Sequence, residues 1–163
     1  MSGVTIRTAT ADDDAALAAL DRATWALGAS VAPRPPPPDA SFFKAEKPYG
    51  DVLVAEADGA VAGYVRIGPA IPVESNRHVL MVRGLAVDPA RHRRGIGRRL
   101  LDAAIEEARG RGARRLTLRV LAPNVAARAL YEAAGFVVEG VLREEFLLGG
   151  RYVDDVVMAR DLT

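Results

Sequence analysis

Between Val87 and Leu100 the chain reads Asp88-Pro89-Ala90-Arg91-His92-Arg93-Arg94-Gly95-Ile96-Gly97-Arg98-Arg99. The chemistry open to such a segment is anion binding. It follows a strand-like run, Val79–Val87, and precedes a helical run in which Ile96, Leu100, Leu101, Ala104, Ile105 and Ala108 share one face. A helix N-terminus presents N–H groups that lack intrahelical partners, together with about half a unit of positive charge. Gly95 and Gly97 remove the side chains that would keep an anion from those groups, and Arg91, Arg93, Arg94, Arg98 and Arg99 add positive potential. A pyrophosphate suits such a turn. The plainer alternative is a solvated helix start.

Two familiar phosphate motifs do not fit. A P-loop ends in Gly-Lys-Ser/Thr, whereas Gly97 is followed by Arg98-Arg99. A dinucleotide fingerprint needs a third small residue where Leu100 stands. It also needs an acidic ribose ligand that would fall within Leu116–Val120, a stretch without acids. A second segment of interest is Ala122-Pro123-Asn124, which opens a helix running to about Ala134 with Gly135 as its stop. Asn124 reads as its N-cap, and Tyr131 as an aromatic on its buried face, whose hydroxyl would need a partner.

The elements that position these residues are legible from periodicity. Val4–Thr8 alternates as a strand. Thr10 with Asp13 reads as a capping box, and Leu17, Leu20, Thr24 and Leu27 fall on one helical face that stops at Gly28. Pro33–Pro38 reads as a stiff extended loop. Asp51–Ala57 and Ala60–Ile67 flank Asp58-Gly59, a strong hairpin signal. Arg115–Leu121 is a strand, and Phe136–Leu148 and Tyr152–Arg160 form a last pair across Gly149-Gly150. The order is β-α-(α)-β-β-β-α-β-α-β-β, an α/β fold with a mixed, largely antiparallel sheet flanked by helices.

Composition narrows the function classes. The chain has 163 residues, of which 50% are hydrophobic and 26% charged, as expected of one globular domain over 1–163. Twenty-two Lys and Arg against 21 Asp and Glu leave a formal charge of +1, which disfavours a nucleic-acid binder. Cysteine is absent, and the only histidines are His78 and His92, so thiol nucleophiles are excluded and a metal site is not expected. There is no signal-like start and no apolar run near the roughly 18 residues of a membrane span. The plain reading is a soluble cytoplasmic protein with no membrane partner.

Three segments in order and spacing resemble the GNAT N-acetyltransferase superfamily, from about Val79 to Phe136. They are Gly84-Leu85-Ala86-Val87-Asp88-Pro89 leading into Gly95-x-Gly97, the helix and strand through Leu121, and Asn124-x-x-Ala127-x-x-x-Tyr131-x-x-x-Gly135-Phe136. The resemblance implies the acyl-CoA N-acyltransferase fold, acetyl-CoA as cosubstrate, no metal, and an amine acceptor. The amine would attack the thioester directly in a ternary complex, as a small molecule, an amino acid or a protein N-terminus. A homodimer is left open.

By that resemblance the backbone of Leu85, Ala86 and Val87 would hold the pantetheine arm as if it were an added strand. N–H groups of Arg93, Arg94, Gly95, Ile96, Gly97 and Arg98 would hold the pyrophosphate. Asn124 would touch the CoA arm or set the helix, and Tyr131 would protonate the leaving thiolate. His92 stands where the family usually has Gln or Arg. Met81, Arg83 and Leu85 stand where the strand would carry the usual Glu base. Substitute bases are Glu74, His78, Glu144, Glu145, Asp154 and Asp155. The acceptor region would include Trp25, Phe42, Phe43, Tyr49, Phe146 and Tyr152. The alternative is a CoA-binding regulatory or sensor domain without catalysis.

Thermal denaturation with separate ligands checks the cofactor reading. Acetyl-CoA should raise the midpoint while NAD and ATP leave it in place. Stabilisation by NAD or ATP alone would contradict the resemblance.

Overall fold

The computed structural model describes residues 3–26, 30–33, 40–45 and 47–163. Its elements are β1 (Thr5–Thr8), α1 (Asp14–Thr24), β2 (Val52–Ala57), β3 (Ala60–Pro69), β4 (Val79–Val87), α2 (Ile96–Gly110), β5 (Arg115–Leu121), α3 (Val125–Ala133), β6 (Val137–Leu148) and β7 (Arg151–Asp161). The chain divides into two compact units. One comprises residues 1–25, 32–67 and 83–104, and the other 26–31, 68–82 and 105–163.

In the first unit the strand order is β1-β2-β3-β4. β1 pairs antiparallel with β2, Thr5 opposite Glu56 and Thr8 opposite Leu53. β2 turns into β3 across Asp58 and Gly59, whose φ values of 56° and 76° give the doubly left-handed hairpin turn that this dipeptide favours. Alternation buries Val52, Val54 and Tyr64 with Leu17, Ala18, Leu20 and Phe42, and Phe43, Val61 and Ala86 pack against them.

Two expectations for this unit need correction. The helix expected to reach Gly28 ends at Thr24. There the Thr24 hydroxyl donates to the Leu20 carbonyl at 2.9 Å, and Trp25 takes extended backbone. Leu27 and Gly28 lie outside the described residues, as do positions 34–38 of the proline-rich stretch. The optional second helix is also absent among the described residues. In its place stand a tight turn, in which Lys44 and Lys47 exchange backbone hydrogen bonds of 3.2 and 2.9 Å, and a single 3-10 turn at Tyr49–Asp51. Pro48 in extended backbone separates the two, since proline offers no helix donor.

In the second unit the order is β4-β5-β7-β6. Val79–Met81 pair in parallel with Arg115–Thr117, and β5 pairs antiparallel with β7 over its whole length, Arg115 opposite Asp161 and Leu121 opposite Asp155. Leu116, Leu118, Phe136, Val156 and Met158 form buried core. β6 follows β7 with register shifts at Val138/Gly140 and Leu142/Phe146. α3 closes at Gly135, whose φ of +91° a side chain would resist, and Arg160 donates to the Ala134 carbonyl at 2.6 Å. No described helix is long and apolar enough to cross a membrane.

The start of α1 rests on Asp13. Its carboxylate takes the Arg7 guanidinium as a fork, both contacts 2.8 Å, and the Thr10 N–H at 2.8 Å. The Arg7 hydrogen bond, above all, holds the Asp13 acid below its ordinary 3.8. Such a group stabilises fully above its unfolded pKa and loses that contribution as pH falls through the lower folded value. Asp13→Asn should therefore cost about 1–3 kcal/mol at neutral pH. The gap to the parent should shrink as urea unfolding is repeated below pH 3.8. A gap independent of pH would refute this account.

Candidate active site

The end of β4 is shaped by its neighbour β3. The Asp88 N–H donates to the Ala62 carbonyl at 2.8 Å. A Cβ built on Gly63 would lie 2.8 Å from the Ala86 carbonyl oxygen, 3.0 Å from Leu100 Cδ1 and 3.4 Å from Ile96 Cγ2. The backbone polar groups of residues 86 and 88 are thus turned to β3. By strand alternation those of Leu85 and Val87 are turned the other way. The His92 ring agrees, since its Nε2 lies 3.3 Å from the Val87 carbonyl oxygen. All three residues, Leu85, Ala86 and Val87, are half-buried.

Asp88 caps the short turn Pro89–Arg91 by accepting the Ala90 N–H at 3.0 Å. Arg93 then has φ +66° and Gly95 φ +74°. Left-handed residues alternating with ordinary ones aim successive N–H groups into one concavity. The space around Gly95 is open, with nothing within 4 Å of where its Cβ would be. The 15-residue helix α2 starts directly behind it, and Arg99 N–H bonds the Gly95 carbonyl at 3.1 Å. Ile96 is buried and anchors the helix start, Gly97 is half-buried, and Arg93, Arg94 and Arg98 are exposed.

The arginines are less free than their spacing suggests. Arg91 pairs with Asp88 at 2.5 Å and with Asp58 at 3.9 Å, Arg94 with Asp58 at 3.0 Å, and Arg98 with Asp102 at 3.0 Å. Much of their charge is thus met by carboxylates, which leaves the unpartnered N–H groups of the turn as the more open anion-binding groups.

Asn124 and Tyr131 belong to the second unit. Asn124 caps α3, its Oδ1 accepting the Ala127 N–H at 3.1 Å. Tyr131 is buried and meets the Phe136 ring edge-on, centroids 6.1 Å apart. Burial pushes its hydroxyl pKa up, so it is protonated at neutral pH and suited to give a proton rather than take one. No described residue accepts a hydrogen bond from that hydroxyl. Sequence reading missed Arg128, whose Nε is buried without a hydrogen-bond partner among the described residues. The signal was available, because Asn124, Arg128 and Tyr131 stand at i, i+4 and i+7 and share a helix face.

The substitute bases fare unequally. Glu74 pairs with Arg77 at 3.0 Å on an exposed turn, and His78 is exposed, its carbonyl accepting the Arg114 N–H at 2.8 Å. Glu144, Glu145 and Asp154 line an open groove of about 820 Å³ where β6 bulges from β7, with the Glu144 N–H on Asp154 Oδ1 at 2.8 Å. Asp155 is buried and committed to Arg119. Of the acceptor-region aromatics, Phe42, Phe43 and Tyr49 form an edge-to-face series in the first unit. In the second, Phe146 lies under Arg119 and Tyr152 is exposed. Among the described residues no cluster of metal ligands occurs.

The sequence profile of the acetyltransferase (GNAT) family matches residues 17–136, and the chain belongs to that family. It is by class an N-acetyltransferase of the GNAT fold. N-alpha-acetyltransferase RimI of Mycobacterium tuberculosis is 36% identical over 130 residues, covering 78% of this chain and 76% of that protein. L-amino acid N-acyltransferase MnaT of Escherichia coli is 31% identical over 123 residues, covering 75% and 71%. The structure of yncA from Salmonella typhimurium, solved with its cofactor acetyl-CoA, superposes with a TM-score of 0.86 at 27% identity, covering 99% of this chain and 95% of that one.

Because Gly63 lets β3 approach the carbonyl of Ala86, a single added methyl should disturb both fold and site. Gly63→Ala should lower stability by about 1–3 kcal/mol. It should also weaken the stabilisation by CoA in the same thermal assay. An unchanged midpoint and unchanged CoA response would refute the close approach.

Proposed function

We propose that the protein transfers the acetyl group of acetyl-CoA to a primary amine, that of a small molecule, an amino acid or a protein N-terminus, by direct attack within a ternary complex. The carrying observation is the turn from Arg93 to Gly95, left-handed at two positions and open, at the head of α2 and directly after β4. Known relatives with N-acetyltransferase names support the same reading.

The fit to CoA rests on this chain's own groups. The N–H groups of Arg93, Arg94, Gly95, Ile96, Gly97 and Arg98 take the pyrophosphate. Leu85 and Val87 offer their outward backbone to the pantetheine arm, while Ala86 between them spends its carbonyl on β3. Asn124 remains the residue that the resemblance assigns to the CoA arm or to setting its helix, which it caps. Acetyl-CoA supplies an acetyl group activated as a thioester.

Attack needs a neutral amine, and a free amine with a pKa near about 10 is mostly protonated at neutral pH. A base, or a chain of waters ending at one, must take a proton from it, and another proton must reach the departing sulfur. Tyr131 supplies the latter from a hydroxyl that burial keeps protonated. With no cysteine in the chain, a thiol-bound acyl intermediate is excluded.

Tyr131→Phe keeps the ring against Phe136 and removes only the hydroxyl. Turnover should fall by about 10²–10⁴-fold. Stabilisation by acetyl-CoA and the thermal midpoint should stay close to the parent. Full activity would reduce Tyr131 to core packing. Loss of binding together with turnover would make the hydroxyl a cofactor contact.

A further inference from the structure

An acid from the β2–β3 hairpin reaches into the charges of the anion-binding turn. Asp58 Oδ2 lies 3.0 Å from Arg94 Nη1 and 3.9 Å from Arg91 Nε. Arg94 belongs to the turn itself, beside Gly95 with its φ of +74°, and Arg91 ends the short 3-10 turn that leads into it. All of these residues belong to the first unit. A carboxylate thus stands one arginine side chain away from the N–H groups assigned to the pyrophosphate.

We propose that Asp58 lowers the affinity of this turn for CoA, by competing with the phosphates for Arg91 and Arg94, and so speeds the exchange of product CoA for acetyl-CoA. This rests on the CoA-dependent transfer proposed above and concerns the same site.

The hairpin itself does not demand an acid. Asparagine before glycine takes the left-handed φ of 56° as readily as aspartate does. The position of Arg91 does not demand Asp58 either, since Asp88 holds its guanidinium at 2.5 Å. What Asp58 adds is negative charge beside a site for a polyanion. The side chains of Arg91, Arg94 and Asp58 are 22%, 32% and 45% exposed, so water screens them incompletely. An arriving phosphate is opposed twice there, by direct repulsion and by the hold of Asp58 on guanidiniums that would otherwise turn to it.

Acetyl-CoA and CoA carry identical phosphates, so binding gained at the turn is the same before, during and after transfer. Such uniform binding does not lower the barrier to the acetyl step, and in excess it retains the product. Weakening it shortens the stay of CoA, a step that limits turnover in many enzymes.

Asp58→Asn is the test, because it keeps the turn preference and an oxygen that accepts from Arg94 while removing the charge. Calorimetry with CoA at low salt should give a Kd about 3- to 10-fold lower than the parent's, the worth of one charge at short range. The difference should fade as ionic strength rises. In turnover, KM for acetyl-CoA and the inhibition constant of CoA should fall together, with no gain in kcat. Acetyl-pantetheine, which has no phosphate, should not distinguish the two proteins. In an Arg94→Gln background the same substitution should have a smaller effect. Asp58→Gly, also suited to the turn, serves as a second variant and should tighten CoA binding likewise, and the midpoint without ligand controls for folding. Equal or weaker binding of CoA by these variants would overturn the proposal and leave CoA-dependent transfer standing. If CoA bound neither parent nor variant, the CoA reading would fail. Calorimetry with inorganic pyrophosphate would then decide on Asp58: tighter binding by Asp58→Asn supports competition at the turn, and equal binding or none refutes it.

Discussion

At Gly63 three elements converge on one missing side chain. The Ala86 carbonyl, Leu100 and Ile96 all come within 3.4 Å of the place where a Cβ would be. Hydrogen at that position lets α2 lie close on β3 and lets the last residues of β4 stay against β3. The direction of every backbone group from Leu85 to Asp88 follows from this approach. So does the placement of the turn that leads into α2, because Ile96 and Leu100 are both buried in the same contact. The backbone of the turn is thus held by packing, with little call on the charged side chains around it.

The ion pairs reinforce that division of labour. Arg91 and Arg94 both reach Asp58, which forms the β2–β3 hairpin turn. Surface pairs of this kind contribute little stability, commonly below about 1 kcal/mol each. Their value here is positional, since they tie the turn to a hairpin with its own rigid geometry. An anion arriving at the turn would compete with Asp58 for the same guanidiniums, which tempers the affinity that a run of arginines would otherwise give.

Much of the fold was legible in the sequence, and for identifiable reasons. Alternating patterns gave Val79–Val87 and Arg115–Leu121 with their observed bounds, and Asp58-Gly59 marked its hairpin, because period and turn chemistry are local properties. The end of α1 was misplaced because Trp25 takes extended backbone three residues before the glycine that marked the expected stop. Residues of the candidate site were legible only as positions. That Ala86 faces β3 depends on strand parity set at Gly63, which no local pattern reports. Asp155 looked like an available carboxylate until its cross-strand partner Arg119 was seen.

Lys44 and Lys47 are the only lysines in the chain, and both sit on one tight turn. Every other basic side chain apart from the two histidines is an arginine. Guanidinium stays protonated at any physiological pH and is a poor nucleophile toward a thioester, whereas a lysine amine is a competent one once neutral. An acetyltransferase with this surface offers its own acyl donor very few places to react by accident. Among side chains, the amines open to stray acylation are therefore only two, Lys44 and Lys47.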